Sequence, residues 1–333
     1  MSKKIRIAIN GYGRIGRCVH RLTLGSSEFE IVAINSRSGA DVQAHLLKYD
    51  SIYGTIPQEV RVEGGDIVIG EQRVKVCTGV PGVDFSWGDL GVDVVVESTG
   101  KSTTYTDTER HLSAGAKKVV VTAPCKDIRI PTFVMGVNDH EFVPGVSVVS
   151  NASCTTNCLA PIAKVLHENF GIVSAQMTTV HAVTNDQRIH DNSHKDLRRA
   201  RSFLPSIVPT KTGVSSALAR VYPEVAGKFA GVSLRVPTLS VSCVDLTAVL
   251  AKSTTAEEVN AAFTQAAAGS MQGVLGVSRV PLVSVDFRGD PRSTIVDALI
   301  TKVVNGNLLK VVSWYDNEWG YSARVLDLVR LVG

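Results

Sequence analysis

Two residues in the middle of the chain, Cys154 and His181, have the side chains of a thiol nucleophile and an acid–base partner. Cys154 lies in the polar segment Ser-Cys-Thr-Thr-Asn-Cys, directly before apolar residues at helical spacing, so we expect it at the N-terminus of a helix. Such a position favours the thiolate, which is the reactive form, and its free amides can donate to an oxyanion. His181 ends an apolar strand and leads into a polar loop, where an imidazole can serve as a base. The pair predicts covalent attack on a carbonyl group.

The other cysteines have simpler explanations. Most free cysteines in proteins are small core residues. Four cysteines fit that description: Cys18, Cys77, Cys125 and Cys243. Cys158 follows Cys154 by one helical turn, and a Cys-x-x-x-Cys pair could ligate a metal. Because no second cluster of cysteine and histidine accompanies this pair, we expect no metal site.

A glycine-rich turn near the start of the chain predicts a dinucleotide site. Gly11, Gly13 and Gly16 form a G-x-G-x-x-G pattern between an apolar strand and a helical pattern. The glycines permit a tight turn and close approach of the backbone to a pyrophosphate, and the helix N-terminus supplies free N–H groups. The motif alone is a weak indicator, but its place between a strand and a helix strengthens it.

The end of the second strand bears on which dinucleotide is bound. NAD-preferring sites usually carry an acidic residue there for the ribose 2′-hydroxyl, whereas this chain has Ser36 followed by Arg37. A hydroxyl beside a guanidinium can accept a 2′-phosphate, which a carboxylate would repel. We therefore expect NADP or dual use, with one alternative: Arg37 is a solvated surface residue and NAD binds without the acid.

The elements that position these residues predict an α/β protein of two domains. Residues 1–152 alternate apolar strands with amphipathic helices, which indicates a parallel sheet with right-handed crossovers. Residues 153–316 indicate an α+β domain with a mixed, largely antiparallel sheet, and we expect a helix at 317–333 to pack back on the first domain. Four long strands are predicted in the second domain: 175–181, 231–235, 243–250 and 281–286. The basic, polar residues 186–208 indicate a long functional loop.

Composition excludes several classes of protein. The chain has 333 residues, 44% of them hydrophobic and 20% charged, which is ordinary for a globular enzyme and argues against disorder. A formal charge of +4 is too small to predict nucleic-acid or membrane binding. Six sparse cysteines and no recognisable secretory signal favour a reducing cytoplasm.

Five segments resemble one enzyme family, the phosphorylating glyceraldehyde-3-phosphate dehydrogenases, and the similarity covers essentially the whole chain. The segment around Cys154 is the most specific of them. The matching segments are Asn10-Gly-Tyr-Gly-Arg-Ile-Gly-Arg17, His45-Leu-Leu-Lys-Tyr-Asp-Ser51, Ser150-Asn-Ala-Ser-Cys-Thr-Thr-Asn-Cys158, His194-Lys-Asp-Leu-Arg-Arg-Ala-Arg201 and Trp314-Tyr-Asp-Asn-Glu-Trp-Gly-Tyr321.

The resemblance implies a Rossmann-type first domain and oxidation of D-glyceraldehyde 3-phosphate, with inorganic phosphate, to 1,3-bisphosphoglycerate. Cys154 would form a thiohemiacetal, His181 would accept the proton, hydride would leave for NAD(P), and phosphate would cleave the thioester. It also implies a homotetramer, in which the loop 186–208 lies near a neighbouring subunit's cofactor.

Further site residues follow from position in the family pattern. Those implied for the cofactor, besides the glycines, are Arg14, Ile15, Ser36, Arg37, Thr122, Ser193 and Asn317. Those implied for the substrate phosphate and the inorganic phosphate are Ser153, Thr155, Thr184, Arg199, Thr212, Gly213 and Arg235, with Arg198 and Arg201 as alternatives to Arg199. Ser193 stands where NAD-specific members usually have proline and photosynthetic NADP-using members have serine.

Two alternatives to this enzyme stay open. Erythrose-4-phosphate dehydrogenase shares the cysteine segment but hydrolyses its thioester and usually lacks the Thr-Gly pair that Thr212 and Gly213 provide here. A non-catalytic binding protein on the same scaffold is the other alternative, and the joint presence of Cys154, His181 and the anion-binding residues argues against it.

Overall fold

A computed structural model describes residues 3–333 and divides the chain into two compact units. The first unit comprises, within the described residues, 3–133, 141–153 and 322–333, and the second comprises residues 134–140 and 154–321. Ser153 and Cys154, neighbours in sequence, therefore belong to different units. Residues 322–333 join the first unit although they come last in the chain.

The first unit is built on an eight-stranded sheet. Its strands are β1 Ile5–Asn10, β2 Phe29–Asn35, β5 Val60–Glu63, β6 Asp66–Ile69, β7 Gln72–Cys77, β8 Val94–Glu97, β9 Lys118–Val121 and β10 Val148–Ser150, with a separate pair β3 Tyr49–Asp50 and β4 Gly54–Thr55. The order across the sheet is β10-β9-β8-β1-β2-β7-β6-β5. The helices of this unit are α1 Arg14–Thr23, α2 Ala40–Lys48 and α3 Tyr105–Ser113.

The middle of this sheet is parallel and buried, as the continuous apolar runs predict. β1 pairs in parallel with both β2 and β8, β8 with β9, and β9 with β10, while β5, β6 and β7 form an antiparallel edge. Val94, Val95 and Val96 are fully buried. Because parallel strands end at one edge of a sheet, the residues following β1, β2, β8 and β9 lie along a common edge, where ligands of open α/β sheets bind.

Helix α2 forms where Val42, Leu46 and Tyr49 predict it, but these apolar residues do not make its buried face. Val42 is 50% exposed and Tyr49, directly after the helix, is 51% exposed. The buried positions include Gln43 and Leu47. The apolar spacing therefore indicates where the helix lies, whereas tertiary packing decides which of its residues are buried.

The second unit is built on a mixed sheet. Its strands are β11 Ile172–Ala182, β12 Val208–Thr210, β13 Phe229–Val236, β14 Ser242–Leu250, β15 Leu275–Ser278, β16 Thr294–Asp297, β17 Lys302–Val304 and β18 Leu308–Tyr315. The order across the sheet is β12-β13-β11-β14-β18-β16-β15, with β17 beside β18. Its helices are α4 Cys154–Phe170, α5 Val214–Val221 and α6 Ala256–Ala268, and α7 Trp319–Val332 begins in this unit and continues into the first. Most strand pairs of this sheet are antiparallel, which confirms the predicted largely antiparallel sheet.

Helix α4 begins at Cys154, as its sequence predicts, and ends at Phe170. Gly171 follows with φ of 70°, a left-handed conformation that glycine adopts at no steric cost and that terminates helices. The helix is fully buried along Cys158, Leu159 and Ile162. Within residues 3–333, no helix has the length and apolar character needed to cross a membrane.

The prediction of a strand at residues 281–286 is wrong. Residues 284–287 form a turn of 3-10 helix, in which the Asp286 carboxylate accepts a hydrogen bond of 2.8 Å from the Val283 amide. Val283 and Val285 are 61% and 56% exposed, so this apolar run has no sheet to join. The strands of this unit that the sequence analysis missed are β12, β15, β16, β17 and β18. Of these, β15 and β16 pair with each other in parallel.

Candidate active site

A sharp change of direction precedes Cys154 along the chain. Ala152, fully buried, has φ of 52°, which is costly for a residue with a side chain. Its amide donates to the Ser150 hydroxyl over 3.1 Å, which helps to hold the turn between strand β10 and helix α4. The chain therefore enters α4 with Cys154 as the first helical residue, and this residue is only half-buried.

Cys154 and His181 meet in the second unit. The Cys154 Sγ lies 3.4 Å from the His181 Nε2, because α4 begins beside the end of β11, where His181 is 3% exposed. The other ring nitrogen, Nδ1, lies 2.7 Å from the Ala182 carbonyl oxygen and 2.6 Å from the Arg235 Nη1. His181 and Arg235 are direct neighbours on the paired strands β11 and β13. Thiol, imidazole and guanidinium thus form a continuous row.

Burial dominates the protonation of Cys154. It raises the pKa of the thiol above its ordinary value, while Arg235 and hydrogen bonds from the Thr155 side chain and the amides of Thr155 and Cys154 act in the opposite direction. The helix N-terminus therefore lowers the pKa of the sulfur as expected, but burial outweighs it, so the expected net preference for the thiolate is wrong. A proton must leave the sulfur when it attacks.

His181 is held as a neutral imidazole. Burial, and secondarily the positive charge of Arg235, lowers the pKa of His181 to about 3. The Ala182 carbonyl acts in the opposite direction. A neutral imidazole 3.4 Å from a thiol is a base in the right place, and its Nδ1 can donate to Ala182 or accept from Arg235, but not both.

Tyr315 supports this pair and was missed by the sequence reasoning. Its hydroxyl lies 3.1 Å from the Thr155 Oγ1 and 2.9 Å from the Thr179 Oγ1, and its ring packs edge-on against the His181 ring at 6.0 Å between centroids. The residue is 1% exposed. It therefore ties the first turn of α4 to β11. No local pattern pointed to this role, since Tyr315 is one of several aromatic residues in its segment.

Ser242 is a second missed residue, and it connects the strand of His181 with Asn317. Its hydroxyl accepts from the Ala182 amide and donates to the Asn317 Oδ1, each over 3.0 Å. Val241, directly before it, has φ of 66° and is 3% exposed, so the local backbone is strained. Because Ser242 uses the Asn317 Oδ1, the amide nitrogen is the end that can donate to a ligand.

Of the implied substrate-phosphate residues, Arg235 lies on strand β13, and Thr184 lies between the end of strand β11 and the long loop. Thr184 is exposed, and its amide and hydroxyl both donate to the Gln187 Oε1 over 2.9 Å. Gln187 is 6% exposed, and its Nε2 has no hydrogen-bond partner among residues 3–333. Sequence reasoning missed Gln187, whose Oε1 holds Thr184 in place while its Nε2 is left without a partner among the described residues.

Arg199 is the loop arginine that fits the anion site best. It is half-buried and forms an ion pair with Asp186, and its charge acts on Arg235. Arg201 is exposed and pairs instead with Asp191 at 2.8 Å, while Arg198 is exposed. These contacts favour Arg199 over both alternatives.

The implied inorganic-phosphate residues are divided between two helix N-termini. Thr155 lies in the first turn of α4 with its hydroxyl against Tyr315. Gly213 precedes α5, which has no side-chain cap, and the Thr212 Oγ1 accepts from the Val214 amide over 3.3 Å. Helices α4 and α5 pack on each other. Ser153 is half-buried and is the last residue of the stretch 141–153 that belongs to the first unit.

The glycine turn of the first unit leaves space for a ligand at one position. A side chain on Gly11 would come within 2.7 Å of the Thr99 amide nitrogen, and one on Gly16 within 2.6 Å of the Gly11 carbonyl oxygen. A methyl group on Gly13 would meet no atom within 4 Å, and this glycine precedes α1 without a side-chain cap. Uncapped amides beside an open glycine fit a pyrophosphate.

A buried carboxylate lies under this turn. Glu97, 1% exposed, accepts from the Asn10 Nδ2 at 2.5 Å and contacts the His111 Nε2 at 3.1 Å. The Trp87 indole donates to the His111 Nδ1 over 3.0 Å, so the ring proton is on Nε2 and His111 donates to Glu97. Asn35, at the end of β2, donates to the Asn10 Oδ1 over 2.7 Å. This network fixes the ends of three strands, and sequence reasoning missed it.

The other implied cofactor residues are spread over several places. Arg14, in the first turn of α1, pairs with Asp50 at 2.5 Å, and Ile15 beside it is half-buried. Thr122 follows β9 at the same sheet edge as the glycine turn. Ser193 lies on the exposed loop of the second unit, where its carbonyl accepts from Arg188.

Ser36 and Arg37 follow β2 in the order that a dinucleotide site requires. The Ser36 amide donates to the Cys77 carbonyl over 3.1 Å, which holds the residue at the end of the strand. Arg37 is exposed and forms no ion pair within the described residues. A guanidinium without an acidic partner, next to a hydroxyl, is compatible with a 2′-phosphate.

Comparison with known proteins agrees with this geometry. The family model for the glyceraldehyde 3-phosphate dehydrogenase NAD binding domain matches residues 5–105, and the model for the C-terminal domain of the same enzyme matches residues 153–317. The glyceraldehyde-3-phosphate dehydrogenase of Geobacillus stearothermophilus is 53% identical over 329 residues, which is 98% of each chain. The chloroplastic glyceraldehyde-3-phosphate dehydrogenase A of Chlamydomonas reinhardtii is 49% identical over 99% of this chain and 89% of its own. The chain belongs to the glyceraldehyde-3-phosphate dehydrogenase family.

Proposed function

We propose that the protein catalyses the phosphorylating oxidation of D-glyceraldehyde 3-phosphate to 1,3-bisphosphoglycerate with NAD(P) as hydride acceptor. The observation that supports this most directly is the Cys154 Sγ at 3.4 Å from the His181 Nε2, at the first residue of a helix. Relatives with the dehydrogenase name match nearly the full chain.

The chemistry begins at the sulfur. Cys154 attacks the aldehyde carbon, and a carbon–sulfur bond forms as the carbonyl π bond becomes an oxyanion. The thiol proton passes to His181, which is neutral and therefore able to receive it. Amides at the start of α4 are placed to donate to the oxyanion.

Several of the residues described above have the chemistry to hold parts of a nicotinamide dinucleotide. The open position at Gly13 and the uncapped start of α1 suit the pyrophosphate, and the Asn317 amide nitrogen suits the carboxamide of the nicotinamide. When bound, the oxidised nicotinamide supplies the acceptor for the hydride. The proton that His181 took from the thiol first passes to the oxyanion, which gives the hydroxyl group of the hemithioacetal and restores the neutral imidazole. His181 takes this proton again when the hydride is lost from the same carbon, and a thioester on Cys154 results.

Phosphate completes the cycle. An oxygen of inorganic phosphate attacks the thioester carbon, the carbon–sulfur bond breaks, and the acyl phosphate leaves while the thiolate of Cys154 is regenerated. We assign Arg235 and Thr184 to the substrate phosphate, and Thr212 and Gly213 to the attacking phosphate. Arg199, paired with Asp186, is assigned a position between the two. Guanidinium groups, hydroxyls and helix N-termini are the usual partners of phosphate.

We further propose NADP or dual cofactor use, a homotetramer and a cytoplasmic location. Ser36, Arg37 and Ser193 support the cofactor proposal. The exposed apolar side chains Leu197 and Ile207 on the long loop, 83% and 64% exposed, support contact with a second copy of the chain. Six free cysteines are compatible with a reducing compartment.

Steady-state kinetics with and without inorganic phosphate test the reaction. We expect turnover of glyceraldehyde 3-phosphate to require phosphate and Cys154→Ser to abolish it. Efficient turnover of erythrose 4-phosphate without phosphate would instead identify the hydrolysing relative, and a fully active Cys154→Ser variant would refute the covalent mechanism. The same assay with NADP and NAD, on the natural chain and on Ser36→Asp, tests cofactor use: we expect good activity with NADP and a shift toward NAD in the variant.

A further inference from the structure

Gln43 is a buried polar residue next to the proposed ribose-binding end of β2. It lies on helix α2 with 5% of its surface exposed, on the face that also contains Ala40, Ala44 and Leu47. Burying an amide in such surroundings is unfavourable unless it forms a compensating hydrogen bond. A hydrophobic residue would fill this position at lower cost.

The side chain of Gln43 is hydrogen-bonded to Ser36. Its Nε2 donates to the Ser36 Oγ over 2.7 Å, and its Oε1 is buried without a hydrogen-bond partner among residues 3–333. The amide of Ser38 also donates to the Ser36 Oγ, over 3.2 Å. A hydroxyl oxygen has two lone pairs, so these two donors occupy both.

The consequence is that the Ser36 hydroxyl can interact with a further group only as a donor. No acceptor for its proton is present within the described residues. Ser36 itself is half-buried, and the neighbouring Arg37 and Ser38 are exposed, so the hydroxyl lies at the boundary between the protein and the space beyond the strand end.

We propose that Gln43 is a positioning residue for cofactor specificity: it makes Ser36 a hydrogen-bond donor and so favours a 2′-phosphate over a 2′-hydroxyl on the adenosine ribose. A phosphate ester offers only acceptor oxygens, and it gains a charge-assisted bond from such a donor. A ribose hydroxyl can donate as well as accept, and Ser36 offers it no acceptor. The inference rests on the proposed dinucleotide site and adds Gln43 to the residues proposed for its selectivity.

Two small ligands isolate this effect from catalysis. Adenosine 2′,5′-bisphosphate and adenosine 5′-monophosphate differ only in the 2′-phosphate, and calorimetric titration of the full chain gives the ratio of their affinities. We expect Gln43→Met, which keeps the side-chain length and removes the donor, to lower the preference for the bisphosphate by roughly 3- to 10-fold. Gln43→Glu accepts the Ser36 proton and adds a negative charge, so we expect a loss of more than about 10-fold.

A double-mutant cycle distinguishes a positioning role from a structural one. In the background of Ser36→Ala, Gln43→Met should leave the affinity ratio unchanged, because the hydroxyl through which Gln43 acts is gone. An equal loss with and without the Ser36 hydroxyl would overturn the inference. If Gln43→Met does not unfold cooperatively, Gln43→Leu gives the same comparison.

Failure of the proposed cofactor preference can be distinguished from failure of the role proposed for Gln43. If the natural chain binds the monophosphate more tightly than the bisphosphate, the cofactor proposal and this inference are both wrong. If it binds the two equally, dual use is still supported and only this inference is refuted. If the natural chain prefers the bisphosphate and the Gln43 variants keep that preference, only the role of Gln43 is refuted.

Discussion

The neutral state of His181 depends in part on Arg235, and replacing that arginine should raise the pKa of the imidazole. In Arg235→Leu the guanidinium that lies 2.6 Å from the His181 Nδ1 is removed, while leucine retains much of the apolar stem. The Ala182 carbonyl, 2.7 Å from the same nitrogen, is then the sole partner of Nδ1. The Nδ1 proton is thereby favoured, and Nε2 is left as an acceptor toward Cys154.

The expected size of the change follows from the geometry. Charges on the guanidinium and on a protonated imidazole would be separated by about 4 Å, which corresponds to roughly 4 kcal/mol at an effective dielectric constant near 20. That is up to about three pKa units. Burial, the larger cause of the low pKa of about 3, is unchanged. Because burial remains, we expect the pKa of His181 in Arg235→Leu to rise by only about one to two units and to stay below its ordinary value.

Nuclear magnetic resonance of protein labelled with ¹³C at histidine Cε1 measures this directly. The Cys154→Ala background removes the thiol, so that the imidazole alone takes up the proton. The chain has eight histidines, and the His181 signal is identified by its loss in His181→Asn. Arg235→Lys is the matched control, because it keeps a positive charge near the ring and should keep the pKa low.

Two results would contradict this reasoning. One is an unchanged His181 titration in Arg235→Leu. The other is an equal rise in Arg235→Lys and Arg235→Leu, which would assign the effect to packing rather than to charge. A confirmed rise has a mechanistic meaning: an anion that draws Arg235 away should make His181 a stronger base as substrate binds.

Two further outcomes are expected. Gly16→Ala should lower the free energy of unfolding by about 1–3 kcal/mol, because its methyl group would lie 2.6 Å from the Gly11 carbonyl oxygen. Gly13→Ala, whose methyl group meets no atom within 4 Å, should fold normally and weaken NAD(P) binding. Urea unfolding measures the first effect and calorimetric titration the second, and equal losses of stability in the two variants would contradict this expectation. His20, fully buried beside the Tyr12 hydroxyl at 2.5 Å, has its pKa lowered by burial to about 3. Since only the unfolded chain binds this proton between pH 6.5 and about 4.5, the free energy of unfolding should fall with pH there by roughly 2.7 kcal/mol from His20 alone. His20→Gln should remove that share, and an identical pH dependence of urea unfolding in both chains would count against it.

Local patterns in the sequence were sufficient for part of the elements and, together with the resemblance to a family, for the reactive pair. Apolar runs located β8 and β9, and helical spacing with Gly171 located both ends of α4. Those features depend on residues close together in the sequence. Cys154 and His181 were assignable because a strand end and a helix start are where polar side chains reach a ligand.

The remaining features depend on contacts between distant segments. Tyr315 reaches Thr155 across 160 positions, and no local pattern predicts that contact. The role of Gln43 could not be inferred because its hydrogen bond to Ser36 depends on how α2 packs beside the end of β2. The net effect of burial on the Cys154 pKa is likewise a property of the packed protein, since the sequence reveals the helix dipole but not how far the sulfur is removed from water.

The return of residues 322–333 to the first unit constrains how this chain can fold during synthesis. Arg330 pairs with Glu28 at 2.7 Å, 302 positions away, and Val325, Leu328 and Val329 are fully buried. The core of the first unit therefore cannot be completed until residues 322–333 have been synthesised. The second unit is nearly continuous in sequence and can fold while the first unit still exposes the apolar surface that residues 322–333 later cover. At ordinary rates of translation of about 5–20 residues per second, that interval lasts roughly 10 to 30 seconds, long enough for chaperones to bind.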